Sequence, residues 1–469
     1  MDAQQKEELN KLETSLKQAG FSSICFWLPT RSVGGGTFLF CELVKYFLQN
    51  TNFKIYYLDC PDGYAHSLLE KHERLHMIDY NINDKDFPTK EPLLVFTNTT
   101  RAIQIKNMNP KSRFVFWHWE TNPVGWDILY LLKEANRITN AMQKKKALVF
   151  HDWSSYHMLK TQLALRCDTP EYYPVFLPNN ETEAKGHPIV SEKEINIAWV
   201  GRLSHDKFNS LNNIITCFAK YKTDKIKRFH IIGDGLCADK VKAFAKKYYD
   251  QIEFIFKGTI PHNELGAYLI NNADILFAMG TAVLDGAALA IPSVVVTLSE
   301  KPYFDDDFYF LSDTKDYCVG ITLSQKKDFD INYRKFKTVL DLIQSGDKEK
   351  IGKRCFDYFK NNYCSYYDRT KKLLELFKGS QFTFRTLKRI MRYIPYNQIQ
   401  VKSYKLKRLN LVSFVRRTGC SSRVVLLNRL PLVPYWNAKR EEPGIVKKGE
   451  NLTVSVKNGY VFAAEIFKG

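Results

Sequence analysis

The stretch INIAWVGRLSHDKFNSL, Ile195–Leu211, decides the fold. An apolar run ends in Gly201, Arg202 follows at once, and Lys207 stands where a helix begins and reads on through NSLNNIITCFAKY. A strand that turns at a glycine into a helix is the opening βα step of a doubly wound sheet. In such a sheet ligands sit beyond the carboxyl ends of the strands. There Gly201 lets the backbone turn sharply and Arg202 can fork onto phosphate oxygens. Lys207 adds a point charge at a helix start that already favours anions. Two cations in that place predict an anionic ligand.

The alternation extends in both directions. Downstream, FHIIGDG, IEFIFKG, DILFAMG and SVVVT read as strands, separated by helices at CADKVKAFAKKYY, NELGAYLINN and AVLDGAALA. Upstream, SICFWLP, KIYYLD, EPLLVFTN, RFVFWHW and KALVFHD are strand-like, and TFLFCELVKYFLQN is a helix behind the loop RSVGGG. The polar segment LPNNETEAKGHPIVSEKE, Leu177–Glu194, reads as a linker. The expectation is an α/β protein with two Rossmann-like doubly wound domains facing a cleft, over residues 1–188 and 189–377, and a basic extension over 378–469.

At 469 residues the chain exceeds one ordinary core. Its 69 Lys and Arg against 50 Asp and Glu give a net charge of +19. Such a chain attracts nucleic acid, anionic lipid or a phosphorylated substrate. No helix-turn-helix, zinc-finger or RRM-like signature is present, so no nucleic-acid partner is expected. The ten cysteines form no CxxC and no metal or disulfide framework, which fits a reducing compartment. The polar start MDAQQKEELNKLETSLKQAG has no signal-peptide core. No run reaches the roughly 18 apolar residues of a spanning helix. A cytoplasmic protein is expected, with any membrane contact peripheral, at the inner face of the cell membrane.

GDG (Gly233–Gly235), FKGTIPHNELGAYL and ADILFAMGTAVLDGAALAIPSVVV follow the opening stretch in order. With them the chain resembles the family-4-like glycosyltransferases of the GT-B fold (glycosyl transferases group 1). The likeness is good over Ile195–Val296, weaker over the first half and absent over residues 378–469. It implies an enzyme that moves a sugar from a nucleotide-diphosphate sugar to a hydroxyl of a glycan or lipid-linked acceptor. Retention of configuration and independence of metal are the family's pattern. The nucleotide sugar would be a co-substrate, with no resident cofactor. Residues 1–188 would form the acceptor domain and 189–377 the donor domain.

Carried over residue by residue, the resemblance makes Arg202 and Lys207 the pair that holds the donor diphosphate and stabilises it as it leaves. Gly201 and Gly233 belong to the same donor loops. Thr259 and Ile260 lie where the family's backbone meets the nucleobase. Gly280, Thr281 and Ala282 would offer N–H groups to the donor, and Asp285 would bond the ribose hydroxyls. Gly34, Gly35 and Gly36 resemble the family's first glycine loop, across the cleft. His118, in FVFWHWETN, would contact the sugar or assist a proton transfer, with Trp117, Trp119 and Glu120 as an acceptor floor and His151 as a second candidate.

Departures matter as much. Two glutamates close the family's donor site, and Asp285 falls at the second position while Phe277, which accepts no hydrogen bond, falls at the first. Phe277 favours a degenerate binding module, whereas Arg202, Lys207 and Asp285 argue for an enzyme. A nucleotide-sugar epimerase on the same fold is the other rival. FDDDF, Phe304–Phe308, is similar to a DxD metal motif but lacks its strand context and reads as a solvated acidic loop. FTFRTLKRIMRYI and VKSYKLKRLNLVSFVRR interleave cations with apolar residues and predict contact with an anionic membrane surface. Beyond them RVVLLNRLPLV, NLTVSVKNG and YVFAAEIF look like strands.

Overall fold

A computed structural model describes residues 2–31, 34–81, 84, 86–119, 132–177, 189–391 and six later strands. The first sheet holds β1 (Ser23–Trp27), β2 (Lys54–Asp59), β3 (Leu75–Asp79), β4 (Leu93–Asn98), β5 (Arg113–His118) and β6 (Leu148–Phe150). Every pairing is parallel, in the order β3-β2-β1-β4-β5-β6. Parallel strands are covered on both faces, and β1 and β4 are accordingly buried at every residue. The covering helices are α1 (Ala3–Gln18), α2 (Gly35–Asn50), the short α3 (Ala65–Leu68), α4 (Leu132–Lys144) and α5 (Trp153–Gln162). Phe40, Leu43, Val44 and Phe47 share one face of α2 and are all buried.

The second sheet holds β7 (Glu194–Val200), β8 (Ile226–Ile232), β9 (Glu253–Gly258), β10 (Ile275–Ala278), β11 (Ser293–Val295), β12 (Asp307–Phe310) and β13 (Arg334–Lys335). Between and after its strands come α6 (His205–Lys220), α7 (Ala238–Ala245), α8 (His262–Asn272), α9 (Thr281–Ala287), α10 (Phe336–Leu342) and α11 (Lys348–Tyr363). The parallel part, β9-β8-β7-β10-β11, repeats the order of the first sheet, and β12 and β13 extend it antiparallel. At its base Lys348 meets Asp274 at 3.0 Å, both buried. Asp274 also accepts from the backbone of Val190 and Asn196, which fixes the chain's entry into β7.

In each half the strand order reverses beside the first strand, between β1 and β4 and between β7 and β10. The carboxyl ends of the two sheets face each other. After β6, Trp153 N–H donates to Asp316 O at 3.0 Å, and Ser154 and Gln325 exchange two bonds of 2.7 Å. Two doubly wound halves with opposed strand ends are the GT-B arrangement expected.

The chain then returns to the first half. Helix α12 (Tyr366–Gly379) buries Leu373, Leu374 and Phe377, and its Tyr366 and Tyr367 hydroxyls donate to Glu42 and Glu8 at 2.6 Å. The expected division at 377 therefore falls inside a helix that packs on α1 and α2. Phe382 packs on Phe114 and Phe116, and α13 (Phe384–Met391) follows it onto the far face of the first sheet. Phe382, Phe384 and Leu387, apolar residues of the stretch expected to meet a membrane, are buried there. Three antiparallel hairpins follow, β14–β15 (Val412–Thr418, Ser421–Leu427), β16–β17 (Leu432–Asn437, Glu442–Lys447) and β18–β19 (Asn451–Lys457, Tyr460–Phe467). Strands β15, β18 and β19 and the start of β16 fall in the apolar pieces expected as strands, whereas β14 lies in the stretch expected to meet a membrane and β17 was not expected. Among the described residues no helix is long and apolar enough to cross a membrane.

Candidate functional site

The crevice beside β7 is built from three loops. The turn after β7 is braced from behind by the GDG loop: Gly201 N–H donates to Ile232 O, Leu203 N–H to Asp234 O, and Cys237 N–H to Leu203 O. A side chain at Gly233 would put its Cβ 2.1 Å from Gly201 O, and φ is +131° there. Only glycine permits that approach. Gly233 thus shapes the loop that carries Arg202.

Arg202 is exposed at the turn, and Lys207 lies half-buried in the first turn of α6. The Lys207 Nζ sits 3.2 Å from where a Gly201 Cβ would be, so it points back over the strand end. Burial pushes the Lys207 ammonium below its ordinary range; Asp206 opposes this and Arg202 adds to it. Among the described residues no carboxylate comes within ion-pair distance of either cation. The α6 N-cap, Ser204, makes no capping bond, and its buried Oγ has no partner. Lys207 Nζ lies over the Gly201 turn at the N-terminus of α6, and Arg202 is near enough to act on it, a setting whose charge suits a phosphate.

Thr259 is exposed and Ile260 half-buried where β9 ends, one strand over, and Gly258 O accepts from Gly233 N–H. Beside β10, Gly280 takes φ +66° and ψ −147°, a conformation that only glycine adopts freely, and starts α9. Thr281 and Ala282 follow, half-buried. The Asp285 carboxylate is 17% exposed, and His262, at the start of α8 and 71% exposed, puts Nε2 3.3 Å from its Oδ1. Burial raises the Asp285 carboxyl above its usual range, and His262 opposes the rise. The hydrogen bond to Asp285 raises His262 in turn. Phe277 is fully buried, its ring 5.4 Å from Phe336 and 5.6 Å from Phe308. At the expected glutamate position the chain builds core instead.

Across the cleft, a Cβ on Gly35 would lie 3.7 Å from Thr281 Oγ1, and one on Gly36 would lie 3.2 Å from the Trp119 ring. These four residues, from both halves, form one patch. Trp117 and His118 lie deeper. Trp117 is fully buried among Phe40, Phe96 and Tyr173. The His118 side chain is 0% exposed, with Nδ1 2.6 Å from Thr99 Oγ1. His151 is also buried, with Nε2 3.0 Å from Asp152 Oδ2, and its N–H donates to His118 O. Glu120 lies outside the described residues.

Sequence reading overlooked Ser204 and His262. Serine before HDK is an N-cap type at a helix start, and a histidine just after Pro261 opens α8. Neither signal distinguishes a cap from a ligand.

The acidic run Asp305–Asp307 brings three carboxylates together. Lys326 meets Asp305 at 2.6 Å, and Lys335 meets both Asp306 and Asp307 at 2.8 Å. Two lysines thus occupy the carboxylates that a cation would need.

No family model matches this chain, and no curated protein does. Among solved structures, Anabaena HepE in complex with UDP and glucose is 12% identical, with a TM-score of 0.47 over 76% of this chain and 98% of that one. The lipopolysaccharide outer core galactosyltransferase WaaB is 12% identical, with a TM-score of 0.48 over 75% and 99%. A glycosyltransferase from Rickettsia africae is 16% identical, with a TM-score of 0.47 over 76% and 97%. At these scores the likeness carries no inference about the chemistry of this chain.

Proposed function

We propose that the chain is a glycosyltransferase that moves a sugar from a nucleotide-diphosphate sugar to an acceptor hydroxyl on a glycan or lipid-linked intermediate. The observation that carries this reading is the pair Arg202 and Lys207, unmatched by any carboxylate among the described residues, at the carboxyl end of β7 beside the switch point.

The mechanism follows from charge. As the glycosidic bond to the diphosphate breaks, negative charge grows on the leaving phosphate. Arg202, Lys207 and the N-terminus of α6 are aimed where that charge grows, and a preorganised site spends nothing on reorientation. Binding an anion also restores the Lys207 proton affinity that burial lowers, so the donor and the ammonium stabilise each other. Asp285, held by His262, accepts from the ribose hydroxyls. The acceptor enters over Gly36 and Trp119. The leaving phosphate takes the acceptor's proton, and the new bond forms on the face the diphosphate leaves, which retains configuration. The cations carry out the charge stabilisation that a divalent ion performs in other enzymes. The buried state of His118 supports a structural part for it, bracing the end of β5 through Thr99.

Incubation with UDP-, GDP- and dTDP-sugars, with and without glycan acceptors, tests the reading through nucleotide release. Release with one donor, increased by acceptor, is expected. Interconversion of the sugar without release would establish an epimerase, and tight binding without turnover would establish a binding module.

A further inference from the structure

The far end of the first half carries a second basic site. A cavity of about 370 Å³ opens between the loop before β5 and helix α13. Met108, Pro110 and Phe384 give it apolar walls, and Arg385, Lys388 and Arg389 supply cations from α13. The helix is fastened: Phe384 N–H donates to Ser112 O at 2.8 Å and Arg385 N–H to Pro110 O at 3.1 Å. Phe384 and Leu387 bury beneath it, so the cations stand on a fixed support while their own side chains remain exposed.

No carboxylate among the described residues lines this cavity. Among the described residues the three cations make no ion pair. Among the described residues, Asp86 is bridged through backbone to Asn107, and Asp84 acts on Lys106. Against them stand Lys106 and Lys111 on the same loop and the three cations of α13. The chain leaves α13 through RYIPYNQIQVKSYKLKRLNL, residues 392–411, whose charged residues are all cations. The cavity lies at the amino end of β5, about 20 Å along the strand from the cleft. It is therefore no part of the donor or acceptor site.

Unmatched cations above an apolar floor fit an amphiphile better than a free anion, because inorganic phosphate gains nothing from Met108 and Phe384. We propose that this cavity binds the phosphate of an anionic lipid headgroup and anchors the first half to a membrane, apart from the sugar-transfer cleft. The anchor does not depend on the proposed reaction, and its test reads binding alone.

Flotation of the full chain with vesicles decides it. The protein rises with phosphatidylcholine vesicles containing phosphatidylglycerol and not with phosphatidylcholine alone. The triple variant Arg385→Gln, Lys388→Gln, Arg389→Gln lowers the floated fraction about tenfold or more. A variant with the same loss of charge on the second half, Lys240→Gln, Lys246→Gln, Lys247→Gln, floats like wild type. The charge-keeping Arg385→Lys, Arg389→Lys also floats, which separates charge from folding. Equal losses in the two glutamine triples would overturn the proposal in favour of diffuse net charge. Flotation with neutral vesicles, or release by excess inorganic phosphate at constant ionic strength, would equally overturn the lipid assignment.

Discussion

The crevices beside β1 and β7 share a strand order and have opposite chemistry. Beside β7 stand Arg202 and Lys207, which among the described residues have no carboxylate partner, and the buried Ser204 hydroxyl, which has none either. Beside β1, the patch is backbone and ring: Gly35, Gly36 and Trp119. Behind it one ring nitrogen of each histidine has a neighbour, His118 Nδ1 at 2.6 Å from Thr99 Oγ1 and His151 Nε2 at 3.0 Å from Asp152 Oδ2. Topology thus sets where each ligand lies, and side chains set which ligand it is. An unmatched cation pair asks for a charged donor. A ring beside a bare backbone asks for a neutral face, such as a sugar.

The largest effect that tests this asymmetry belongs to the cations. Arg202→Ala or Lys207→Ala lowers kcat/KM about 10²-fold or more, the usual result of losing a charge that stabilises the leaving group. Folding is undisturbed, because Lys207 is a half-buried ammonium with no acid to satisfy. The nucleoside diphosphate raises the Tm of wild type and fails to raise that of Lys207→Ala. Near-normal turnover in both variants would remove the charged half of the comparison.

The same asymmetry explains what could be read from the sequence. The fold was legible because buried parallel strands such as Cys25–Trp27 and Ile195–Val200 are unbroken apolar runs closed by loops. Strand β3 was not, since on the sheet edge its residues are only partly covered and LHMID carries no strong period. Helix α12 escaped because its target, α1 and α2, is more than three hundred residues away in sequence. The position of Arg202 and Lys207 at a strand end and a helix start was legible because a βα turn is local. The burial of His118 was not legible for the opposite reason: its position at a strand end is local, but its surroundings depend on Thr99, in the turn after β4, and on Phe150 of β6.

A smaller effect sharpens the neutral side. Gly36→Ala brings a Cβ to 3.2 Å from Trp119, which forces the ring to shift, while Gly35→Ala gains an ordinary contact at 3.7 Å from Thr281. Gly36→Ala is expected to lower kcat/KM about tenfold through acceptor KM, and Gly35→Ala to change it little. A change confined to donor KM would assign this patch to the nucleotide.

Smaller again is the effect of His262. Its pKa is raised above the ordinary 6.5 chiefly by the hydrogen bond to Asp285. The pairing therefore contributes fully below the unfolded value and is lost as pH rises through the higher folded one. The Tm difference between wild type and His262→Gln is expected to be largest near pH 6 and to close by about pH 9. At neutral pH, donor KM rises about threefold with kcat unchanged, because Asp285 keeps its carboxylate but loses its support. A Tm difference that grows with pH would show that His262 acts through some other contact.

The last expected effect is none at all. If the cations beside β7 do the work of a metal, chelation costs nothing: activity in EDTA stays within about twofold of that in magnesium or manganese. The only described acidic trio, Asp305–Asp307, is held by Lys326 and Lys335. An ion would have to displace two ammonium groups already in contact with those carboxylates. Asp305→Asn should therefore lower Tm through the lost Lys326 pair and leave kcat/KM alone. Strict metal dependence, abolished by Asp305→Asn, would place the charge stabilisation at the acidic loop and end the contrast between the two crevices.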